Sequence, residues 1–308
     1  MQQLDRLRAN IQSCFFGGDD VIDRLLVCLV ARGHALLEDV PGVGKTTLSV
    51  ALARSLDATI NRLQMTPDML PSDILGVTVF NPQTGEAEFQ EGPIFANIVL
   101  ADEVNRTTPR TQSALLEAMN ESQVSMDGVT RQLARPFFVL ATQNPYEFEG
   151  TYFLPESQLD RFLMRLNLGY PNPEDEARVL MLDPRRSALP DLKPAMTGAE
   201  LVALQDRAEA VRVDPKIADY VVRLAAATRA SVDLHLGVSP RGSLALVRAA
   251  KAAALIDGRD YVVPGDVADL VVPVFAHRCV TRSASGADGA GSPTAVLERL
   301  IRGVHVPV

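Results

Sequence analysis

The chain is poor in the residues that build metal centres and disulfide frameworks. Its 3 cysteines, Cys14, Cys28 and Cys279, are odd in number and lack C-x-x-C spacing, which excludes a disulfide scaffold and reads as reduced thiols of a cytoplasmic protein. Its 4 histidines (34, 235, 277 and 305) are equally scattered, which argues against zinc. Long apolar runs are missing too. Val21 to Ala31 is interrupted by Arg24 and falls far short of the ~18 residues of a membrane span. Asp5, Arg6 and Arg8 break the start of the chain where a signal peptide needs an apolar core. Positive charge is scarce: the net charge is −8, which argues against nucleic acid as a general partner, because phosphate neutralisation needs a basic surface. Among 30 basic residues the lysines are Lys45, Lys193, Lys216 and Lys251 alone, so the first 192 positions hold a single lysine.

What is present is an ordinary globular composition, 47% hydrophobic and 22% charged over 308 residues, enough for two domains. The single early lysine stands in His34 to Thr47, HALLEDVPGVGKTT. A short apolar strand (Ala35, Leu36, Leu37) leads into a loop holding Pro41, Gly42, Val43 and Gly44, and Lys45, Thr46 and Thr47 open a helix. Strand, glycine loop and helix in that order make a phosphate cradle. N–H groups at a helix N-terminus point outward, Lys45 adds a charge for the β- and γ-phosphates of ATP, and the Thr46 hydroxyl suits a magnesium ion. Asp39 stands where the general phosphate-loop pattern has glycine, and aspartate tolerates left-handed backbone better than most residues.

Farther on, Asn97 to Glu103 (NIVLADE) is an apolar run ending in two acids, the pattern of a parallel strand buried on both faces. Ligands of such sheets bind at the carboxyl ends of strands, which puts Asp102 in reach of magnesium through water and Glu103 in the place of a general base. Phe137 to Thr142 is a second such strand, and Asn144 beyond it can orient the attacking water. Gly76 to Gly92, with three glutamates and no lysine or arginine, and Gln123 to Leu133, around Asp127-Gly128, read as β-hairpins. Leu4, Leu7, Ile11 and Phe15 mark a first helix, and Asp19 or Asp20 can cap a second. After Tyr170-Pro171-Asn172-Pro173 the pattern turns to helices only, broken by a flexible connector from Ser283 to Ser292.

Taken together, EDVPGVGKT, ADEVNR, ATQNP, LPESQLDRF and SPRG resemble, in order and spacing, the Walker A, Walker B, sensor 1, arginine-finger and sensor 2 segments of a MoxR-type AAA+ ATPase of the helix-2-insert clade. The resemblance implies an α/β P-loop NTPase core with a parallel sheet (1–171, with inserts near 76–92 and 123–133), a linker (172–195) and an all-α lid (196–308). It also implies a homo-oligomeric ring, commonly a hexamer, with ATP between subunits. By position Arg161 is the finger reaching a neighbour's γ-phosphate, with Arg165 a competitor, and Arg241 contacts the γ-phosphate from the lid. Arg106 is either a subunit-interface group or a solvated helix-start charge. The function implied is a chaperone-like remodeller of protein complexes, active in maturation or metal-cofactor insertion with a partner carrying a von Willebrand factor A (VWA) domain. Two alternatives stand beside it. A DNA motor would need basic hairpins, whereas the first hairpin is acidic and the second offers only Arg131, with Arg135 after it. A nucleotide-gated scaffold would have no need of Glu103.

Overall fold

The computed structural model describes residues 2–40, 42–83, 85–144, 151–184, 187–282 and 291–307; Pro41, Pro145 and most of the Ser283–Ser292 connector lie outside them. The chain opens with α1 (Gln2–Cys14) and α2 (Asp19–Val30), then β1 (Ala35–Glu38), α3 (Lys45–Arg54), β2 (Leu56–Asp57), β3 (Ile60–Gln64) and α4 (Pro71–Leu75). A hairpin, β4 (Gly76–Asn81) and β5 (Glu86–Glu91), precedes β6 (Ile98–Asp102), α5 (Pro109–Glu121) and a second hairpin, β7 (Gln123–Met126) and β8 (Val129–Gln132). β9 (Phe138–Gln143), α6 (Glu156–Leu159) and β10 (Met164–Leu166) follow. Then come α7 (Pro173–Leu182), β11 (Met196–Thr197), α8 (Gly198–Glu209), α9 (Pro215–Ala230), β12 (Leu234–Leu236), α10 (Pro240–Ile256), α11 (Pro264–Phe275), β13 (Val280–Thr281) and α12 (Pro293–Gly303).

The central sheet has the order β10-β1-β9-β6-β3, and every pairing in it is parallel. Its middle strands are apolar at nearly every position because both faces are covered, as the unbroken runs in the sequence require. Successive side chains go to opposite faces. Ala35, Leu37, Leu100 and Leu140 join α1, α2 and α3 in one apolar cluster, whereas Leu36, Val99, Val139 and Ala141 join Leu115, Leu116 and Met119 of α5 in another. Helices α8 to α11 add residues to the first cluster, and α10 packs directly on α2 and α8. The C-terminal helices therefore dock on the face covered by α1 to α3.

Three details differ from the sequence reading. Gly18, not an aspartate, occupies the cap position of α2; Asp19 lies inside the first turn, where its carboxylate accepts from Gln12 at 2.7 Å. The C-terminal part is not purely helical, since β12 pairs with β13 and β11 pairs with β2. These strands of two or three residues are too short to carry a period of two. Asp39 does not have a positive φ, unlike Arg32, Glu103, Ser122, Asp127 and Asp183, so left-handed tolerance is not the reason for it.

Candidate functional site

At the carboxyl end of β1 the backbone turns through Gly42 (φ +89°) and Gly44 (φ +96°), a region open to glycine at little cost, and α3 begins at Lys45. Its glycine cap offers no side chain to the first-turn N–H groups. Lys45 Nζ donates to the Asp39 carbonyl at 2.7 Å and to the Gln143 carbonyl at 3.3 Å, spanning loop and β9. Burial pulls its pKa down, against the opposing effect of Asp39, Glu103, Asp102 and Glu38. Val43 and Thr46 are half-buried beside it, and Thr47 is buried. Asp39 acts as a tie: one carboxylate oxygen accepts its own neighbour's Val40 N–H at 2.7 Å, the other the Gly169 N–H at 2.6 Å. The phosphate loop is thereby fastened to the segment after β10.

The acidic strand end lies on the same edge. Asp102 is buried (5% exposed), with Arg62 Nε 2.7 Å from one oxygen and the Thr142 hydroxyl 3.4 Å from the other. Glu103 is left-handed (φ +58°, ψ +51°), a conformation that costs on the order of 1–3 kcal/mol in a non-glycine residue and clusters at functional sites. Its N–H donates to Thr142 Oγ1 at 2.9 Å, and its Oε2 accepts from Gln64 and Arg106, each at 3.0 Å. Within its own chain Arg106, with its side chain 41% exposed, is paired with Glu103. The Asn144 carbonyl accepts from the Asn105 amide at 3.1 Å. Arg62, Gln64 and Thr142 went unread in the sequence, because only strand register, Gln64 opposite Asp102, brings them to the acids.

Beside the loop is a cleft of about 600 Å³ lined by Phe15, Phe16 and Gly17 on one side and Tyr170, Asn172 and Arg178 on the other. The Phe15 ring lies against Gly44, within 3.1 Å of where a Cβ would stand, and the Arg178 guanidinium stacks 4.1 Å from the Phe16 ring. The Phe-Phe-Gly-Gly run and Tyr170 to Pro173 were its only signals, and both also read as helix end and boundary.

Arg161 and Arg241 are not brought to this edge. Arg161 stands just before β10, at the amino end of the sheet, and Arg241 lies in the first turn of α10, where the Ser239 hydroxyl accepts from the Gly242 N–H at 3.2 Å. Strands of three to six residues, ~10–20 Å, separate that end from the phosphate loop. There, Arg161, Arg241, Arg278, Arg32, Arg135 and Arg248 line a cavity of about 710 Å³. The Arg241 guanidinium donates to the Asn120 side chain, and its Nε is 3.8 Å from Asp160. Arg241 therefore does not reach over its own chain's Lys45. Arg165 is bound to Glu38 at 2.9 Å on the phosphate-loop side.

Residues 34–164 match the model of the ATPase family associated with various cellular activities (AAA), and residues 226–300 that of the AAA lid domain. The chain is 41% identical to chaperone MoxR1 of Mycobacterium tuberculosis, over 99% of this chain and 82% of that one. It belongs to the MoxR family of AAA+ ATPases. It is also 48% identical to the uncharacterised protein YeaC of Bacillus subtilis, over 97% of this chain and 93% of the relative. A solved structure of a candidate ATPase from Cytophaga hutchinsonii superposes with a TM-score of 0.88 at 34% identity, covering 99% of this chain and 95% of that one. As a MoxR-family protein the chain is a chaperone-like ATPase that binds ATP, built from an α/β AAA+ core with a parallel sheet and a helical lid domain. No helix among the described residues is long and apolar enough to cross a membrane.

Proposed function

We propose that this MoxR-family ATPase hydrolyses ATP in sites completed between neighbouring subunits of a ring, commonly a hexamer, and uses the cycle to remodel protein complexes in the cytoplasm. The observation that carries this reading is the separation of Lys45, Asp102 and Glu103 at one end of the sheet from Arg161 and Arg241 at the other. One chain cannot close both halves around one nucleotide, whereas two chains placed edge to edge can. Within that reading Lys45 and the N–H groups of the Gly42–Thr47 turn hold the phosphates, and the Phe16–Tyr170 cleft takes the nucleoside. Glu103 accepts a proton from the water that attacks the γ-phosphorus, Asn144 orients that water, and ADP leaves. Arg161 and Arg241 of the next subunit offset the charge that develops in transfer. The Thr46 hydroxyl and the Asp102 carboxylate are the sparse, hard oxygen set that suits magnesium shared with phosphates. Magnesium bound there would neutralise the β- and γ-phosphate oxygens. We place the core at 1–171, the linker at 172–195 and the lid at 196–308.

The client we propose is a protein, with a VWA-domain partner and a role in maturation or metal-cofactor insertion, as MoxR-type resemblance implies. The first hairpin supports this over a DNA motor: Glu86, Glu88 and Glu91 lie along β5, and Arg131 of the second hairpin is spent on the Phe89 ring at 3.7 Å. The test is magnesium-dependent ATPase activity in the purified protein, alone and with its partner. Glu103→Gln is expected to keep nucleotide binding and lose about 10²–10⁴ in turnover, while Lys45→Ala loses binding. Turnover by Glu103→Gln at the wild-type rate would remove the base assignment, and a nucleotide-gated scaffold would then be the better reading.

A further inference from the structure

The loop that carries Arg161 is held chiefly by one buried side chain from the lid. Arg278 follows α11 in a short 3-10 turn and its side chain is 3% exposed. Its Nε donates to the Asp160 carboxylate at 2.6 Å, and its two terminal nitrogens donate to the carbonyls of Asp160 (3.1 Å), Phe162 (2.6 Å), Leu163 (3.2 Å) and Val274. Residues 160, 162 and 163 are thus all gripped by one guanidinium, and the residue between them is Arg161. Beside Arg278, His277 Nε2 lies 3.1 Å from the Phe162 carbonyl. Asp160 also faces Arg241 from α10, so two lid arginines share one carboxylate of the core.

Burying a guanidinium this deeply is costly unless its donors are satisfied. Simple packing of lid on core is served by apolar contacts from α10 and α11, which already exist, so it does not call for a charge. The planar five-donor fork of arginine is, however, suited to fixing three backbone carbonyls of one short loop at once, whereas lysine is a point charge without that fixed fork.

We propose that Arg278 is a positioning residue: it locks the Asp160–Leu163 loop to the lid so that Arg161 is presented, at a set angle, to the nucleotide of the neighbouring subunit. The lid thereby sets the finger, and a shift of the lid moves Arg161 with it. This rests on the trans role of Arg161 proposed above, and the experiment separates the two.

Arg278→Ala in the full-length protein is expected to lower kcat about 10²-fold, the scale of a displacement of about 1 Å, with nucleotide affinity within about twofold of wild type. Mixed with Glu103→Gln subunits, which keep their finger side, it is expected to regain activity, as Arg161→Ala does in the same mixture. A folding defect or a fault in the chain's own nucleotide site would not be complemented in this way. Where Arg278→Ala fails to fold, Asp160→Asn, altered at a part-exposed carboxylate, takes its place and is expected to lower kcat about tenfold with the same complementation. Wild-type kcat in a folded Arg278→Ala protein overturns the proposal, as does wild-type kcat in Asp160→Asn where that variant stands in. If Arg161→Ala is complemented and the Arg278 or Asp160 variant is not, the positioning role alone fails. If Arg161→Ala itself is not complemented, the trans reading fails and this proposal with it.

Discussion

At the carboxyl end of the sheet every acid near the phosphate loop has a cation of its own chain: Glu38 has Arg165, Asp102 has Arg62, Glu103 has Arg106, and Lys45 sits among Asp39, Glu38 and the two strand-end acids. At the amino end six arginines line one cavity, and the acids that pair with them among the described residues are Asp160, Asp206 and Glu209. Arg248 donates to the carbonyls of Ala31 and Arg32 instead of to an acid. One end is therefore nearly neutral by itself, while the other holds an excess of positive charge that an incoming anion can match. In a low-dielectric interface such an excess costs the isolated chain and favours association with a bound triphosphate. The difference teaches that the sheet divides this ATPase, with the phosphate loop and strand-end acids at one end and the arginine cluster at the other.

The comparison can be broken most sharply at Arg161. Arg161→Ala is expected to lower kcat by about 10³–10⁵ with nucleotide affinity kept, measured by steady-state ATPase assay and equilibrium binding; lost affinity with unchanged kcat would move Arg161 to the binding half.

A smaller effect sharpens the amino end. Burial pushes the His34 imidazole from about 6.5 to about 4, where its Nδ1 accepts the Val139 N–H at 3.0 Å and its Nε2 donates to the Met119 carbonyl at 2.9 Å. His277 is lowered as well, by burial and then by the Arg278 charge. Because the folded value lies below the unfolded one, the unfolded chain binds more protons between them. The stabilisation is full above about pH 6.5 and is lost as pH falls towards 4. Denaturant titration at pH 7 and pH 5 should show a loss of about 2 kcal/mol from His34, and His34→Gln should flatten that slope. The smallest effect belongs to the carboxyl end. Asp39→Ala removes the tie to Val40 and Gly169 and should cost about 1 kcal/mol, a fall in Tm of about 2–4 °C by thermal melt, with weaker nucleotide binding.

Much of the architecture was legible because it depends on neighbours in the chain. Proline stands in the first turn of α9, α10, α11 and α12, a start signal local to each helix, Asp127-Gly128 marked a hairpin whose two turn residues both have positive φ, and unbroken apolar runs marked β6 and β9. The phosphate loop and the strand-end acids were legible for the same reason, as short patterns whose chemistry needs adjacent residues. Illegible were the Phe16–Tyr170 cleft, the holders of Glu103 and the Arg278 clamp. Phe16 meets Arg178, Gln64 meets Glu103 and Arg278 meets Asp160 across spans that no local pattern encodes.

By itself the sequence determined the order of the long strands and helices and the chemical type of each site residue, since backbone preference, burial pattern and side-chain chemistry act within a few positions. Which of those residues share a place was decided only by the tertiary structure. Asp39 read only as a departure from the phosphate-loop pattern until Gly169 came beside it, and Arg241 as a lid contact to a γ-phosphate of unspecified chain until the lid was seen docked at the other end of the sheet. The physical reason is that parallel strands carry the residues before them and the residues after them to opposite ends. Packing of α10 on α2 and α8 then selects the end to which the lid belongs.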